Sequence, residues 1–470
     1  MSHVRVFKHY IPTPFVLLAL FELTAMVICF SFVTGVYGDG AVDLYEFTGA
    51  LGFGLVLVTA MVSMGVYPSY IREGFTGMML RTAVAFFLIG GIALASAYYL
   101  VPALRVDSIL LSQAGLASFL VITVVRWGAA GIIDYDSLKR RVVILGTGRQ
   151  AERIATRLRR RVDQRGFTIH AFLRTDAGED RITPHGIAVT HSQEPLIEYC
   201  KANRIQEIVV ALDERRRDDP GGHGAPLDEL LDCKLSGIDV TNVIEFFERE
   251  VGKIPLDLLS PGWMVFSQGF VHKPFDTRTE RILDITAGLI LLAVSWPIML
   301  IVALAIVVED RNFAVLYRQQ RVGLNGRIFK VLKFRSMTRR AEPDGRARWA
   351  AERETRVTRV GRFIRKSRID ELPQIFNVLA GQMSFVGPRP ERPEFVDTLA
   401  DQIPFYSERH RVKPGITGWA QLCYPYGASV ADAREKLEFD LYYLKNHSVM
   451  LDLMILIQTV EIVLIGEGAR

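Results

Sequence analysis

Four apolar stretches open the chain, at about 15–36, 47–70, 82–101 and 108–126, each near the ~20 residues a bilayer-crossing helix requires. They predict a unit of four transmembrane helices over 1–130. From Arg141 the pattern changes to RVVILGTGRQAERIATRL, a buried strand, a glycine turn and an amphipathic helix. Further strands are expected at 168–174, 187–190, 205–212 and 238–243, alternating with helical stretches at 193–203 and 226–236. That alternation predicts a Rossmann-like α/β domain over 139–250, with helices on both faces of a parallel sheet. A proline-bearing linker, 251–280, leads to a fifth apolar run at 282–308, and the remainder, 311–470, is mixed and rich in charge.

The fifth run is long enough to span, but its flanks argue otherwise. Lys273, Arg278 and Arg281 precede it, and Arg311, Arg318 and Arg321 follow, so both ends favour the cytoplasmic side. Pro297, near the middle, removes a backbone donor and clashes with the preceding turn. A helix broken at Pro297 that enters and leaves one leaflet over 281–310 satisfies both facts, provided protein packs around the break. In the opening unit, Arg5, Lys8, Arg72, Arg81 and Lys139–Arg141 place both its termini in the cytoplasm, and Glu22 is the only acid within a span. The expected class is therefore a multi-pass membrane protein of α and α/β type, with a mainly helical last domain anchored by the re-entrant helix.

Composition agrees: half of the 470 residues are hydrophobic, although 23% are charged. The four cysteines, Cys29, Cys200, Cys233 and Cys423, have no metal-site spacing and read as unpaired thiols. A net charge of +5 is too small to suggest nucleic acid, but it conceals a basic stretch from Arg311 to Arg368.

The turn Gly146-Thr147-Gly148-Arg149-Gln150-Ala151 fits the G-x-G-x-x-A fingerprint, in which glycines let a pyrophosphate approach a helix N-terminus. The acid expected about 20 residues on, which would bind a ribose, is missing from the end of the second strand. Arg174 and Thr175 stand there, with Asp176 displaced. Gly146 and Gly148 are thus a nucleotide-binding turn only in part, and a structural or regulatory domain is the expectation.

Specific chemistry begins after 310. Asp370-Glu371-Leu372-Pro373 is expected to open a helix, with Asp370 as N-cap, Pro373 in the first turn and a stop at Gly381. Arg365, Lys366 and Arg368 just before it are expected to hold the Asp370 carboxylate ionised and nucleophilic.

Three strings carry a resemblance: YRQQRVGLNGRIFKVLKFRSM at 317–337, SRIDELPQIFNVLAGQMSFVGPRPERPEF at 367–395 and RHRVKPGITGWAQ at 409–421. Over about 270–470 the chain resembles the bacterial sugar transferase family, the polyprenyl-phosphate hexose-1-phosphate transferases with a monotopic catalytic core. The opening spans and the degenerate Rossmann-like unit look like its long forms, and the PRPERPEF continuation looks like the exopolysaccharide branch. The resemblance implies that Asp370 is a nucleophile toward the β-phosphorus of a UDP-sugar. A phosphosugar-aspartyl enzyme would form, UMP would leave, and polyprenyl phosphate of the inner leaflet would take the sugar phosphate. Glu371 is then the dyad partner, Lys333 and Arg389 match phosphate-contacting positions, and Arg335 is a third candidate contact. Charge repulsion between nucleophile and diphosphate calls for Mg²⁺ at Asp370. The implied place is the cytoplasmic face of a bacterial inner membrane, with lipid and a second copy of the chain as further partners. Two rival readings remain, a membrane-tethered nucleotide sensor and a scaffold with an inactive core.

Overall fold

The structure is a computed structural model. It describes residues 3–6, 9–37, 44–63, 66, 78–79, 81–100, 108–132, 139–158, 166–174, 188–191, 194–213, 226–259, 261–267, 269–270, 274–309, 314–338, 357–424, 427 and 429–465. Lys8, Arg72, Thr175, Asp176 and Lys273, and residues 311–313 and 339–356 of the basic stretch, lie outside these. Two compact units result, 1–246 and 247–470.

In the first unit, α1 (Thr13–Tyr37) packs on α2 (Leu44–Ser63) and α4 (Ser108–Ile132), while the helical segment ending in α3 (Gly91–Leu100) packs near α2. Met26, Phe30, Phe53, Leu57, Met61, Phe86 and Ile122 form the interior, and apolar side chains such as Phe32, Leu55, Leu120 and Val124 face outward. α1 and α4 are long and apolar enough to cross a membrane, and the other two segments are shorter. Glu22 is not the isolated acid of the sequence. It is fully buried and receives a two-pronged contact from Arg126, Nε to Oε1 at 2.5 Å and Nη2 to Oε2 at 2.8 Å. α4 continues past 126, where the fourth apolar stretch was expected to end, and so turns Arg126 into the bundle.

The α/β part follows the expected pattern. Strands β1 (Arg140–Leu145), β2 (Phe167–Arg174), β3 (Ala188–His191), β4 (Glu207–Val210) and β5 (Asp239–Asn242) form one parallel sheet in the order β3-β2-β1-β4-β5. Helix α5 (Arg149–Arg157) follows β1, α6 (Leu196–Ala202) precedes β4, and α7 (Leu227–Leu235) precedes β5. Val143, Leu145, Ile208 and Val210 on the sheet pack with Leu196, Cys200, Leu230 and Cys233 of the helices, so both cysteines are core thiols.

The second unit is built on α8 (Pro274–Glu309), a helix about 54 Å long if straight, well beyond the ~30 Å of a hydrocarbon core. It runs through Pro297 as one element, so the expected division into two helices is not present. A proline forfeits one hydrogen bond of the ladder, which can kink a helix without ending it. Both ends of α8 pack on the part of the chain that follows it. Near its start, Arg281 donates to the carbonyls of Val378 and Leu379 at 2.6 Å each, and Asp284 accepts from Ser384 Oγ and Phe385 N. Near its end, Val302 and Ile306 join Phe334 and Ile364, and Glu309 accepts from the amides of Arg359 and Val360. Between and around these contacts, Leu289, Ile290, Val294, Trp296, Ile301, Leu304 and Val308 are exposed.

After α8 comes an antiparallel hairpin of β6 (Leu316–Val322) and β7 (Ile328–Phe334), turned at Asn325 and Gly326, both with positive φ. Then follow α9 (Arg359–Lys366), a 3-10 turn at Ile369–Glu371, α10 (Gln374–Leu379), β8 (Ser384–Val386), α11 (Pro393–Gln402) and β9 (Gly415–Thr417), which pairs in parallel with β8. Helices α12 (Val430–Asn446) and α13 (Val449–Ile465) complete the described part.

Candidate active site

Asp370 does not cap a helix. Arg368 adopts a left-handed backbone, φ +58°, and swings the chain out of α9 into the 3-10 turn that carries Asp370 and Glu371. Such a conformation is uncommon for a side chain with a Cβ and costs about 1–2 kcal/mol, the kind of local strain found at functional turns. The helix that follows has only six residues, with Pro373 at its start. Its dipole is too short to supply the anion-attracting field expected of it, so that field must come from side chains. The stop is as expected: Gly381 has φ +78° and its amide returns to Val378 O at 2.9 Å.

Three elements bring the charges together. β7 presents Lys333, the 3-10 turn presents the dyad and the loop after β8 presents Arg389. Lys333 Nζ donates to Glu371 Oε1 at 2.7 Å, and Arg389 Nη2 reaches the same oxygen at 3.2 Å. Asn377, 2% exposed, sets the spacing: its Nδ2 donates to Lys330 O at 2.8 Å and its Oδ1 accepts from Leu332 N at 2.9 Å. It thereby ties α10 to the free edge of the strand that carries Lys333. On the other side of the turn, Ile369 and Leu372 pack against the cluster of Val302, Ile306, Phe334 and Ile364. Arg335 is directed elsewhere, with its Nε donating to Ala314 O at 3.1 Å. Of the residues singled out in the sequence, Asp370, Glu371, Lys333 and Arg389 converge.

The electrostatics reverse one expectation. Burial, and then the neighbouring Glu371 charge, push the Asp370 carboxyl above the usual carboxylate range, outweighing Lys333, Arg365 and Arg368. The local arginines visible in the sequence are exposed or half-exposed, whereas Asp370 is 9% exposed, so desolvation dominates. Glu371 behaves oppositely. Burial alone would raise it, but Arg389 and Lys333 bring it down to about 2. Burial also lowers the Lys333 ammonium, with Glu371 pulling it back up. The arrangement holds one firmly ionised carboxylate locked to two cations, beside a second carboxylate that carries charge at an energetic cost and makes no hydrogen bond or ion pair among the described residues. A carboxylate in that state is a good nucleophile or a ligand for an arriving cation.

No group of three His, Cys, Asp or Glu among the described residues could hold a metal by itself. Mg²⁺, however, commonly takes one or two carboxylates and completes its shell with substrate phosphates and water. Asp370 fits that requirement; Glu371, already shared by Lys333 and Arg389, fits it less well.

The glycine turn of the first unit is already filled. Gly146, φ +121°, brings the chain under Ala211, and Gly148 abuts the Asp213 carboxylate where a Cβ would collide. Asp213 accepts from the amides of Arg149 at 2.8 Å and Gln150 at 3.0 Å, the donors a pyrophosphate would need. This capping acid lies 64 residues from the turn and cannot be paired with it by local pattern.

The chain matches the family model for bacterial sugar transferases over residues 275–466, which include the whole charge cluster, and a model for a CoA-binding domain over 62–219. Over 269 residues it is 43% identical to a UDP-N-acetylgalactosamine-undecaprenyl-phosphate N-acetylgalactosaminephosphotransferase of Aeromonas hydrophila, covering 57% of this chain and 61% of that protein. Over 331 residues it is 34% identical to an undecaprenyl-phosphate glucose phosphotransferase of Komagataeibacter xylinus, covering 69% of this chain and 59% of that one. It thus spans about three fifths of the length of these two relatives. The uncharacterized sugar transferase EpsL of Bacillus subtilis is matched over 90% of its length, 41% of this chain, at 42% identity. Likeness across nearly all of that shorter protein, at a level well above chance and on the segment that builds the cluster, means that the chain belongs to the bacterial sugar transferase family.

Proposed function

We propose that the protein transfers a sugar-1-phosphate from a UDP-sugar to undecaprenyl or a similar polyprenyl phosphate, releasing UMP, as the first membrane step of an exopolysaccharide or other surface glycan. The observation that carries this reading is the buried Asp370 carboxylate, with no hydrogen bond or ion pair among the described residues, beside a Glu371 that gathers Lys333 and Arg389. Names of relatives support the substrate classes. In the first half-reaction an Asp370 oxygen bonds to the β-phosphorus as the bond to the bridging oxygen breaks, and UMP departs with that electron pair. In the second, a polyprenyl phosphate oxygen attacks the same phosphorus, and Asp370 leaves as a carboxylate. Lys333 and Arg389, preorganised on Glu371, are placed to share their donors with the phosphoryl oxygens as charge shifts. Mg²⁺ held by Asp370 and substrate would screen the approach of two anions.

UMP release from UDP-glucose and UDP-N-acetylgalactosamine, with and without polyprenyl phosphate, tests the reaction. A ping-pong enzyme releases a stoichiometric burst of UMP without the acceptor. Absence of UMP from every UDP-sugar tried, acceptor present, rejects the proposal.

The raised Asp370 carboxyl sets the sign of the pH dependence. The nucleophile must be ionised, so the burst rate should climb with pH through a limb lying above the ordinary aspartate range. Glu371→Gln removes the like charge and frees two cations, and both effects shift this limb to lower pH. A limb that stays in place or moves up separates the limb from Asp370.

The opening helices are proposed to cross the membrane with both ends of the unit cytoplasmic, and α8, bent at Pro297 without being divided there, to enter and leave the cytoplasmic leaflet. Support for the latter comes from the packing of both ends of α8 on one catalytic fold, since a crossing helix would carry one end away from it. In a background lacking the four native cysteines, Ser267→Cys and Ser336→Cys should both resist a membrane-impermeant thiol reagent in intact cells and react after lysis. Labelling of the second alone in intact cells would mean a true crossing.

The domain over 139–250 is proposed to serve the fold rather than a nucleotide, because Asp213 spends the two amides of the glycine turn. Millimolar CoA or NAD should leave the melting temperature of the full chain unchanged; a rise with either would show that the ligand displaces Asp213.

A further inference from the structure

The loop that delivers Arg389 reads Pro388-Arg389-Pro390-Glu391. Two of its four residues have no amide hydrogen, so it cannot be fixed chiefly through its own donors. It is fixed instead through successive carbonyls. Gly415 N donates to Pro388 O at 3.0 Å, Arg409 Nη2 to Arg389 O at 3.1 Å and Arg321 Nη1 to Pro390 O at 2.9 Å. The middle contact comes from a side chain that is itself buried, 6% exposed. Arg409 is oriented on two further sides: its Nη1 donates to the Tyr406 hydroxyl at 2.7 Å, and its guanidinium pairs with Asp440 of α12 at 2.8 Å. Asp440 is only 2% exposed. A pair this deeply buried adds little net stability over well-packed apolar residues, because desolvation offsets its attraction, but it does fix direction.

We infer that Arg409, oriented by Asp440 and Tyr406, is a positioning residue for Arg389, holding its backbone so that the Arg389 guanidinium meets the Glu371 carboxylate and, in turn, the phosphate. The inference rests on the proposed reading of Arg389 as a phosphate contact. Arg409 need not touch substrate, and it lies 20 residues from the arginine it serves. Lysine in its place keeps the charge opposite Asp440 but loses the planar fork that reaches three partners at once.

The test is a double-mutant cycle on the full chain, read as the burst rate of UMP release and the melting temperature. Arg409→Lys should melt close to the parent and lose about 10- to 100-fold in kcat/KM for the UDP-sugar, as expected when a contact group is displaced by about an ångström. Tyr406→Phe, a gentler change, should lose less in the same direction and stands in for Arg409→Lys if that variant does not fold. In an Arg389→Ala background either change should cost less than about threefold more, since the group being positioned is gone. An equal cost in both backgrounds, or no cost in the parent, overturns the inference. Arg389→Ala with unchanged turnover overturns the reading of Arg389 itself, and the positioning role falls with it.

Discussion

Asp370→Asn is expected to abolish turnover and leave the fold intact. If Asp370 forms the bond to phosphorus, an amide in its place cannot do so, and loss of a nucleophile acting within a concerted site costs about four orders of magnitude or more in kcat. The burst of UMP should vanish with it, because the first half-reaction is the one that needs the carboxylate. Stability should move the other way. The folded-state pKa of Asp370 is raised, so its ionised form is disfavoured by folding, and above the ordinary pKa near ~3.9 the charge lowers stability. Asparagine removes that charge while keeping the shape, and no hydrogen bond or ion pair of the carboxylate is lost among the described residues. The variant should therefore melt at or above the temperature of the parent at pH 7. Residual turnover within about tenfold, under 1.4 kcal/mol of barrier, would rule Asp370 out as the nucleophile.

The parts of this molecule legible in the sequence are those set by local pattern. Apolar length gave the helices of the first unit, and the alternation of strand and helix gave the parallel sheet, with β1 beginning at Arg140, one residue before the run RVVIL. The strings around Lys333, Asp370 and Arg389 marked the residues that converge. What was illegible depends on distance through space. The charges next to Asp370 in sequence, Arg365 and Arg368, were weighted above burial, and so the direction of its pKa shift was inverted. Glu371 looked like a companion to the nucleophile, whereas the structure makes it the anchor for two cations from 38 and 18 residues away. Asp213 beneath the glycine turn, Arg126 opposite Glu22 and Arg409 behind Arg389 share that cause: each partner lies on another element. Asn377 offered one signal, a polar side chain on the buried face of a short helix, which must find hydrogen bonds in the fold. Pro297 shows the opposite failure, a strong local rule whose expected outcome, a divided helix, is absent where both helix ends are anchored.

Lys333→Ala should lower turnover by about two orders of magnitude or more, the usual loss when a preorganised donor to a developing anion is removed. Lys330→Ala is the control, because Lys330 is exposed on the same strand and should change turnover little. Loss of Lys333 also leaves the buried Glu371 carboxylate with Arg389, at 3.2 Å, as its one remaining ion pair among the described residues, so stability must fall as well, and the two effects have to be separated. The sign of the pH dependence helps. A Glu371 carboxyl held near 2 contributes stability that is fully present above the ordinary glutamate value near ~4.3 and is lost as pH falls through that depressed pKa. Removing Lys333 shrinks the shift, so the variant should lose stability at neutral pH and show a weaker dependence between those two values. Glu371→Gln added to Lys333→Ala takes away the under-compensated charge and should restore much of the melting temperature. Turnover should stay low in the double variant, since the donor to phosphate is still missing. If turnover returns together with stability, Lys333 serves only to balance Glu371, and the phosphate contact has to be sought at Arg389 alone.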